Sequence, residues 1–187
     1  MFRKIILMCM LSTLGLLAGC KKNLQGDQPA ATLNPAQIYY TQFSLFQEKN
    51  NFRTTNYRKG ILIPINTAVS LQSMSGNEAH LRLVDSGQTL TIENVSKHTG
   101  DDLQTAFKKV ADVNKVDLQR FSAVEREAIL SGQVIKGMSR KAVIAAIGYP
   151  PITETPTLDS NDWTYWAHRF NRFIVHFKND KVDNIVN

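Results

Sequence analysis

Two spacings of apolar residues run along this chain, and they predict different elements. From about residue 57 to 94 the spacing is two. His80 to Val84 places Leu81 and Leu83 on one face, and Thr89 to Glu93 does the same with Leu90 and Ile92, the alternation of a half-buried strand. Val69-Ser70-Leu71 repeats it in brief, and Ile61-Leu62-Ile63-Pro64-Ile65 is a β-rich run whose proline, without an N–H for a ladder, suits an edge or a bulge. Ser75-Gly76-Asn77 and Asp85-Ser86-Gly87 supply the turns, glycine taking positive φ without steric cost. Short strands joined this tightly predict a small curled sheet or an SH3-like barrel. Ahead of them, Ala36 to Glu48 carries Ile38, Tyr39, Tyr40, Phe43, Leu45 and Phe46, a density that fits a short helix or an extended segment equally well.

After Asp101 the spacing changes to three and four. Leu103, Ala106, Phe107 and Val110 form one helical stripe, and Asp101-Asp102 places negative charge where a helix N-terminus favours it. Ser122 and Glu125 have the spacing of a capping box, with Gly132 suited to the left-handed position past the helix end. Ser139 caps a further helix carrying Val143, Ile144 and Ile147, which Gly148 and Pro150-Pro151 terminate. Alternation then returns in Trp163 to Trp166, in Arg172 to Phe177 with Phe173, Val175 and Phe177 on one face, and in Val182 to Val186. Lys178-Asn179-Asp180-Lys181 reads as a hairpin loop. The whole predicts an α+β chain, with a small β-rich module at 36–98 followed at 99–187 by a helical segment and an α/β domain.

The N-terminus follows neither spacing. Arg3 and Lys4 precede an apolar run from Ile5 to Leu17, and Ala18-Gly19 lead to Cys20. A membrane span needs about 20 predominantly apolar residues, and this run stops short of that before Gly19-Cys20-Lys21-Lys22. A positive segment, an apolar segment and small residues before a cleavage point make a secretory leader. Leu17-Ala18-Gly19-Cys20 resembles the lipobox of bacterial lipoproteins, which implies removal of residues 1–19, acylation of Cys20 and a durable anchor in the lipid bilayer. Lys21 directly after the cysteine, where an Asp would retain the protein at the inner membrane, implies the outer membrane and its periplasmic face. Residues 20–35, rich in Gln, Asn, Ala and Pro, read as a lipidated tether with a reach of roughly 20 Å.

Composition narrows the chemistry further. The chain has 2 cysteines, Cys9 inside the leader and Cys20 taken by lipid, so a mature disulfide, thiolate metal site or cysteine nucleophile is not expected. The formal net charge of +6 includes Arg3 and Lys4 of the leader, and the mild remainder reads as an ordinary solvated surface. A periplasmic address argues against nucleic acid as the partner.

Residues 129–186 resemble the SmpA/OmlA family, the BamE-like outer-membrane lipoproteins. The resemblance rests on Val134-Ile135-Lys136-Gly137-Met138-Ser139, on Val143 with Ile147-Gly148-Tyr149-Pro150, on Trp163 and Tyr165, and on Phe173, Val175 and Phe177 before Lys181-Val182. It implies two helices packed on a three-stranded antiparallel sheet, a role in binding outer-membrane assembly proteins, and no enzymatic chemistry. Physical roles account for the same residues: Gly137 permits a tight turn, Met138 fills the seam between helix and sheet, Ser139 caps and Gly148 terminates.

Trp163, Tyr165, Trp166, His168, Arg169, Phe170, Arg172 and Phe173 form an aromatic and basic cluster. Trp163, Tyr165 and Phe173 are expected in the sheet core, leaving Trp166, Phe170 and Arg172 as candidate partner-binding residues. His80, His98, His168 and His176 show no i, i+4 pair and have no cysteine beside them, and no G-x-S-x-G elbow is present; neither a metal, a cofactor nor a catalytic residue is expected. The function expected is that of a non-enzymatic outer-membrane lipoprotein acting as a periplasmic interaction module in envelope assembly. A cell-wall-binding protein holding peptidoglycan through the β-rich segment 57–95, and an inhibitor of a periplasmic enzyme, are the alternatives.

Overall fold

A computed structural model describes residues 37–187. The leader 1–19, Cys20 and the tether 20–35 lie outside the described residues. Ala36 to Glu48 resolves into two strands, β1 (Ile38–Thr41) and β2 (Leu45–Gln47), followed by β3 (Asn51–Arg53), β4 (Ile61–Ile63), β5 (Ala68–Ser75), β6 (Glu78–Leu83) and β7 (Thr89–Glu93). A one-turn helix, α1 (Ser96–Thr99), leads to α2 (Leu103–Val110) and β8 (Ala111–Asp112). A 3-10 turn at Leu118–Arg120 precedes α3 (Ala123–Leu130) and α4 (Arg140–Ile147), and the chain ends in β9 (Asp162–His168), β10 (Asn171–Lys178) and β11 (Lys181–Val186). The fold is α+β.

The first sheet has six strands in the order β3-β7-β6-β5-β1-β8. Only β3 and β7 pair in parallel; β7, β6, β5, β1 and β8 form antiparallel neighbours. This is a curled mixed sheet rather than a barrel, and it recruits β1, β3 and β8 from outside the alternating stretch. The register slips between Leu71 and Ser73, a bulge that bends β5. One face supplies Val69, Leu71, Ala79, Leu81, Leu90 and Ile92, all buried. The helical stripe lies against them, with Phe107, Val110 and Ala111 in the same apolar cluster and the Phe107 ring edge-on to Tyr39 at 5.2 Å. Asp102 starts α2 by accepting the Thr105 N–H at 2.7 Å. Pro64 lies just past β4, which pairs with β2 in a separate two-stranded ribbon.

The second sheet, β11-β10-β9, is antiparallel and packs on α3 and α4. Asn179 and Asp180 both take positive φ in the β10–β11 turn, the pair of conformations that matches strand twist in a two-residue hairpin. Ser122 and Glu125 close a reciprocal capping box on α3. At its other end Gly132, at φ +63, donates its N–H to Ile129 while the Gln133 N–H reaches the Ala128 carbonyl, a Schellman termination. Gly137 and Met138 form a short ladder with β11, the Gly137 N–H donating to Val182 and the Val182 N–H to Met138, both at 2.8 Å. That ladder turns Met138 fully inward, under the helices.

Helices leave their last carbonyls without partners, and here the N-terminal half supplies them. Ser44, in the link between β1 and β2, donates its N–H to Ala145 at 3.1 Å and its hydroxyl to Ile129 at 2.7 Å. Asn56 donates its amide to the carbonyls of Ile147 and Tyr149. The described residues accordingly belong to one compact unit.

Candidate functional site

The β9–β10 hairpin separates the aromatic and basic cluster by pleat. Trp163 and Tyr165 are 1% and 0% exposed and face the helices, Trp163 tilted against Phe177 at 4.6 Å and Tyr165 stacked on Phe173 at 5.5 Å. Successive strand residues alternate faces, so Thr164, Trp166, Arg172, Ile174 and His176 lie on the opposite face. That outer face is half-buried to exposed.

Trp166 and Arg172 are directly opposite one another in the ladder. The Arg172 guanidinium sits 5.3 Å from the Trp166 ring centroid and donates to Glu154 Oε2 at 2.9 Å, a geometry in the range of a cation–π contact. The Trp166 indole N–H is buried and has no acceptor. Phe170, at the hairpin tip, is 84% exposed with the Arg169 guanidinium 5.4 Å from its ring. Trp166, Phe170 and Arg172 therefore meet at one end of one hairpin. The register slips between Asn171 and Arg172 and leaves Ala167 out of the ladder; its carbonyl accepts the Arg58 N–H at 3.1 Å, so the bulged end is tied to the body of the protein.

Arg58 was not singled out by the sequence, and its environment explains why it matters. Its guanidinium stacks 4.3 Å from the Phe46 ring centroid and donates to the Gly132 carbonyl at 2.5 Å. Burial pushes it down to about 10, so it remains charged at neutral pH. Arg140 is a second structural cation. It lies 4.4 Å from the Phe177 ring and donates to the carbonyls of Leu158 and Ser160 and to the side chains of Asn161 and Asp180, pinning the loop before β9.

The histidines are dispersed. His80 on β6 bonds Thr91 at 3.2 Å, His98 on α1 bonds Thr153 at 3.0 Å, and His176 on β10 bonds Asp162 at 2.6 Å. Among the described residues no three His, Cys, Asp or Glu side chains form a metal-sized group, and no helix is long and apolar enough to cross a membrane. The hairpin end thus gathers two aromatic side chains and two guanidinium groups. Compared with protein-family models, with curated proteins and with solved structures, the chain matches none.

Proposed function

We propose that this chain is a lipoprotein held at the periplasmic face of the outer membrane through Cys20, and that it acts without chemistry of its own, by binding envelope-assembly proteins. The address rests on Leu17-Ala18-Gly19-Cys20. The binding role rests on one observation, a phenylalanine 84% exposed at the tip of the β9–β10 hairpin, beside Trp166 and Arg172. Aromatic and arginine side chains of this kind are enriched among the residues that dominate protein interfaces. The resemblance of 129–186 to the SmpA/OmlA family supports the same class of partner, and a tether reaching roughly 20 Å keeps that partner close to the anchoring membrane.

The test is crosslinking of the full-length lipoprotein in its native membrane. The wild type is expected to capture outer-membrane assembly proteins, and the double substitution Trp166→Ala with Arg172→Ala to lower that capture severalfold at an unchanged unfolding midpoint. Cys20→Ser is expected to release the chain from the membrane. An equal yield of crosslinked partner from the double variant would remove the hairpin from the interface, and retention of Cys20→Ser in the membrane would remove the anchor.

A further inference from the structure

A cavity of about 320 Å³ opens between α2 and the loop from Tyr149 to Leu158, and no residue of the β9–β10 hairpin lines it. Its rim is apolar: Tyr149, Ile152 and Leu158 are 38%, 42% and 37% exposed. Its floor is apolar too, with Phe43 and Phe52 at 4% and 1%. The fall in exposure from rim to floor marks a concave pocket, which takes an occupant that enters it, rather than a face across which one lies. The volume is about twice the ~150 Å³ of an apolar cavity that accommodates benzene, and it falls at the lower end of small-molecule sites, ~300–1,000 Å³. That is room for two fused rings. Three large apolar side chains held in water around one opening are unfavourable until something apolar covers them.

The polar side chains of the lining are spent on the protein itself. Thr54 and Thr99 donate their hydroxyls to the same acceptor, Asn94 Oδ1, at 3.2 and 3.0 Å. Their oxygens accept the N–H groups of Val95 and Asp101 in turn. Thr155 accepts the Thr164 N–H at 2.9 Å. Asn56 donates its amide to the Ile147 and Tyr149 carbonyls, and its side-chain oxygen is closed to solvent. A hydroxyl brought into the cavity would give up its water for no new partner, which opposes binding.

The charged groups of the lining cancel. Asp101 and Lys109 form an ion pair at 2.6 Å, and His98 is engaged with Thr153. Burial and the neighbouring Lys97 ammonium hold the His98 imidazole below its ordinary value, so it is neutral at pH 7. A charged ligand would be desolvated here without a counter-charge.

We infer that this cavity is a binding site for a small, uncharged, apolar molecule of up to about two fused rings, held by burial of its surface and without a hydrogen bond. The site is independent of the partner-binding reading and would stand if that reading fell.

The probes are naphthalene, 2-naphthol and 2-naphthoate, which share one frame and differ in donor and charge. Each is brought to equilibrium by dialysis from one reservoir with the full chain in lipid nanodiscs and, in a parallel chamber, with empty nanodiscs. Uptake in excess of the empty nanodiscs measures binding to the protein at a known free concentration. Naphthalene is expected to bind saturably at one per chain, 2-naphthol no more tightly, and 2-naphthoate about tenfold or more weakly. Ile152→Trp and Leu158→Trp each place an indole at the exposed rim, and at least one should weaken naphthalene about tenfold at an unchanged unfolding midpoint. No saturable excess of naphthalene, or binding unaffected by both rim variants, would overturn the site. A tenfold gain for 2-naphthol would overturn the apolar class, and affinity for 2-naphthoate equal to that for naphthalene or greater would overturn the uncharged one.

Discussion

The Ser44 hydroxyl donates to the Ile129 carbonyl at 2.7 Å and accepts the Ile65 N–H at 3.0 Å. One fully buried side chain, between Phe43 and Leu45 of the cluster under the first sheet, thus bonds a helix carbonyl and a backbone donor that both belong to the cluster under the second. Ser44→Ala leaves the Ile65 N–H buried and unpaired, at a cost of about 1–3 kcal/mol, while the Ile129 carbonyl keeps the Gly132 N–H. The variant should therefore lose about 1–3 kcal/mol in urea denaturation. Because the two clusters are welded here, far-UV and near-UV signals of the wild type should report one coincident transition; two separated transitions would show that the halves unfold independently.

Glu125 serves two helices. Its Oε2 accepts the Ser122 N–H at 3.0 Å, completing the cap of α3, while its Oε1 accepts the Ser139 N–H at 2.9 Å at the start of α4. Partial burial alone would raise the carboxyl, but these N–H groups and the two serine hydroxyls overrule it and bring it down to about 2 from an ordinary 4.5. A carboxyl depressed in the folded state stabilises fully above its unfolded value and loses that contribution as pH falls through the folded one. The stabilisation from Glu125 should thus be complete above pH 4.5 and vanish toward pH 2. Glu125→Gln keeps one acceptor and is expected to cost about 1–2 kcal/mol at pH 7. Urea midpoints of wild type and variant should converge as the pH is lowered from 4.5 to 2; a constant difference would refute the assignment.

Tyr165 is fully buried and donates its hydroxyl to the Gly148 carbonyl at 3.0 Å. Burial raises the phenol well above its ordinary 10.0, against the opposing pull of the Arg58 guanidinium. An acid raised in the folded state stabilises below the unfolded value and loses that stabilisation as pH climbs through the folded one. Folded Tyr165 should stay protonated while exposed phenols ionise. Tyr165→Phe is then expected to leave the alkaline tyrosinate absorbance of the folded chain unchanged, and to lower stability by about 1–2 kcal/mol through the orphaned carbonyl. A smaller absorbance rise in the variant would place Tyr165 in contact with water.

The features legible in the sequence are those set within a few residues. Ser122 with Glu125, Ser139, Gly132 and the Asn179-Asp180 turn follow local rules of capping and turn geometry, and all occur where those rules place them. Strands with alternation, such as Thr89 to Glu93, were equally readable. Three-residue β3 and two-residue β8 were not, because neither is long enough to alternate and each is a strand only by virtue of a distant partner, β7 and β1. Asn56 and Ser44 were invisible for the same reason: their roles depend on Ile147 and Ile129, which come from elsewhere in the chain. Alternation sets Trp166 apart from Trp163 and Tyr165 and Arg172 apart from Phe173, but the pairing of Trp166 with Arg172, the bulge at Ala167 and its bond from Arg58 needed the tertiary fold.

Gly137 and Gly148 both have positive φ, +89 and +74, yet substitution should separate them. A Cβ at Gly137 would meet nothing within 4 Å, so Gly137→Ala pays only for the left-handed backbone, about 1–2 kcal/mol. At Gly148 ψ is −166, a region open essentially to glycine alone. A Cβ there would also approach the Phe43 ring at 2.7 and 2.8 Å and Asn56 Nδ2 at 3.0 Å. Strain and collision add, and the ring it displaces belongs to the wall of the cavity. Gly148→Ala should therefore cost roughly 3 kcal/mol or more, at least one kcal/mol beyond Gly137→Ala, as measured by urea denaturation of the two variants side by side. Equal losses would mean that the Phe43 ring moves freely and that the packing between α4 and the first sheet is looser than its contacts indicate.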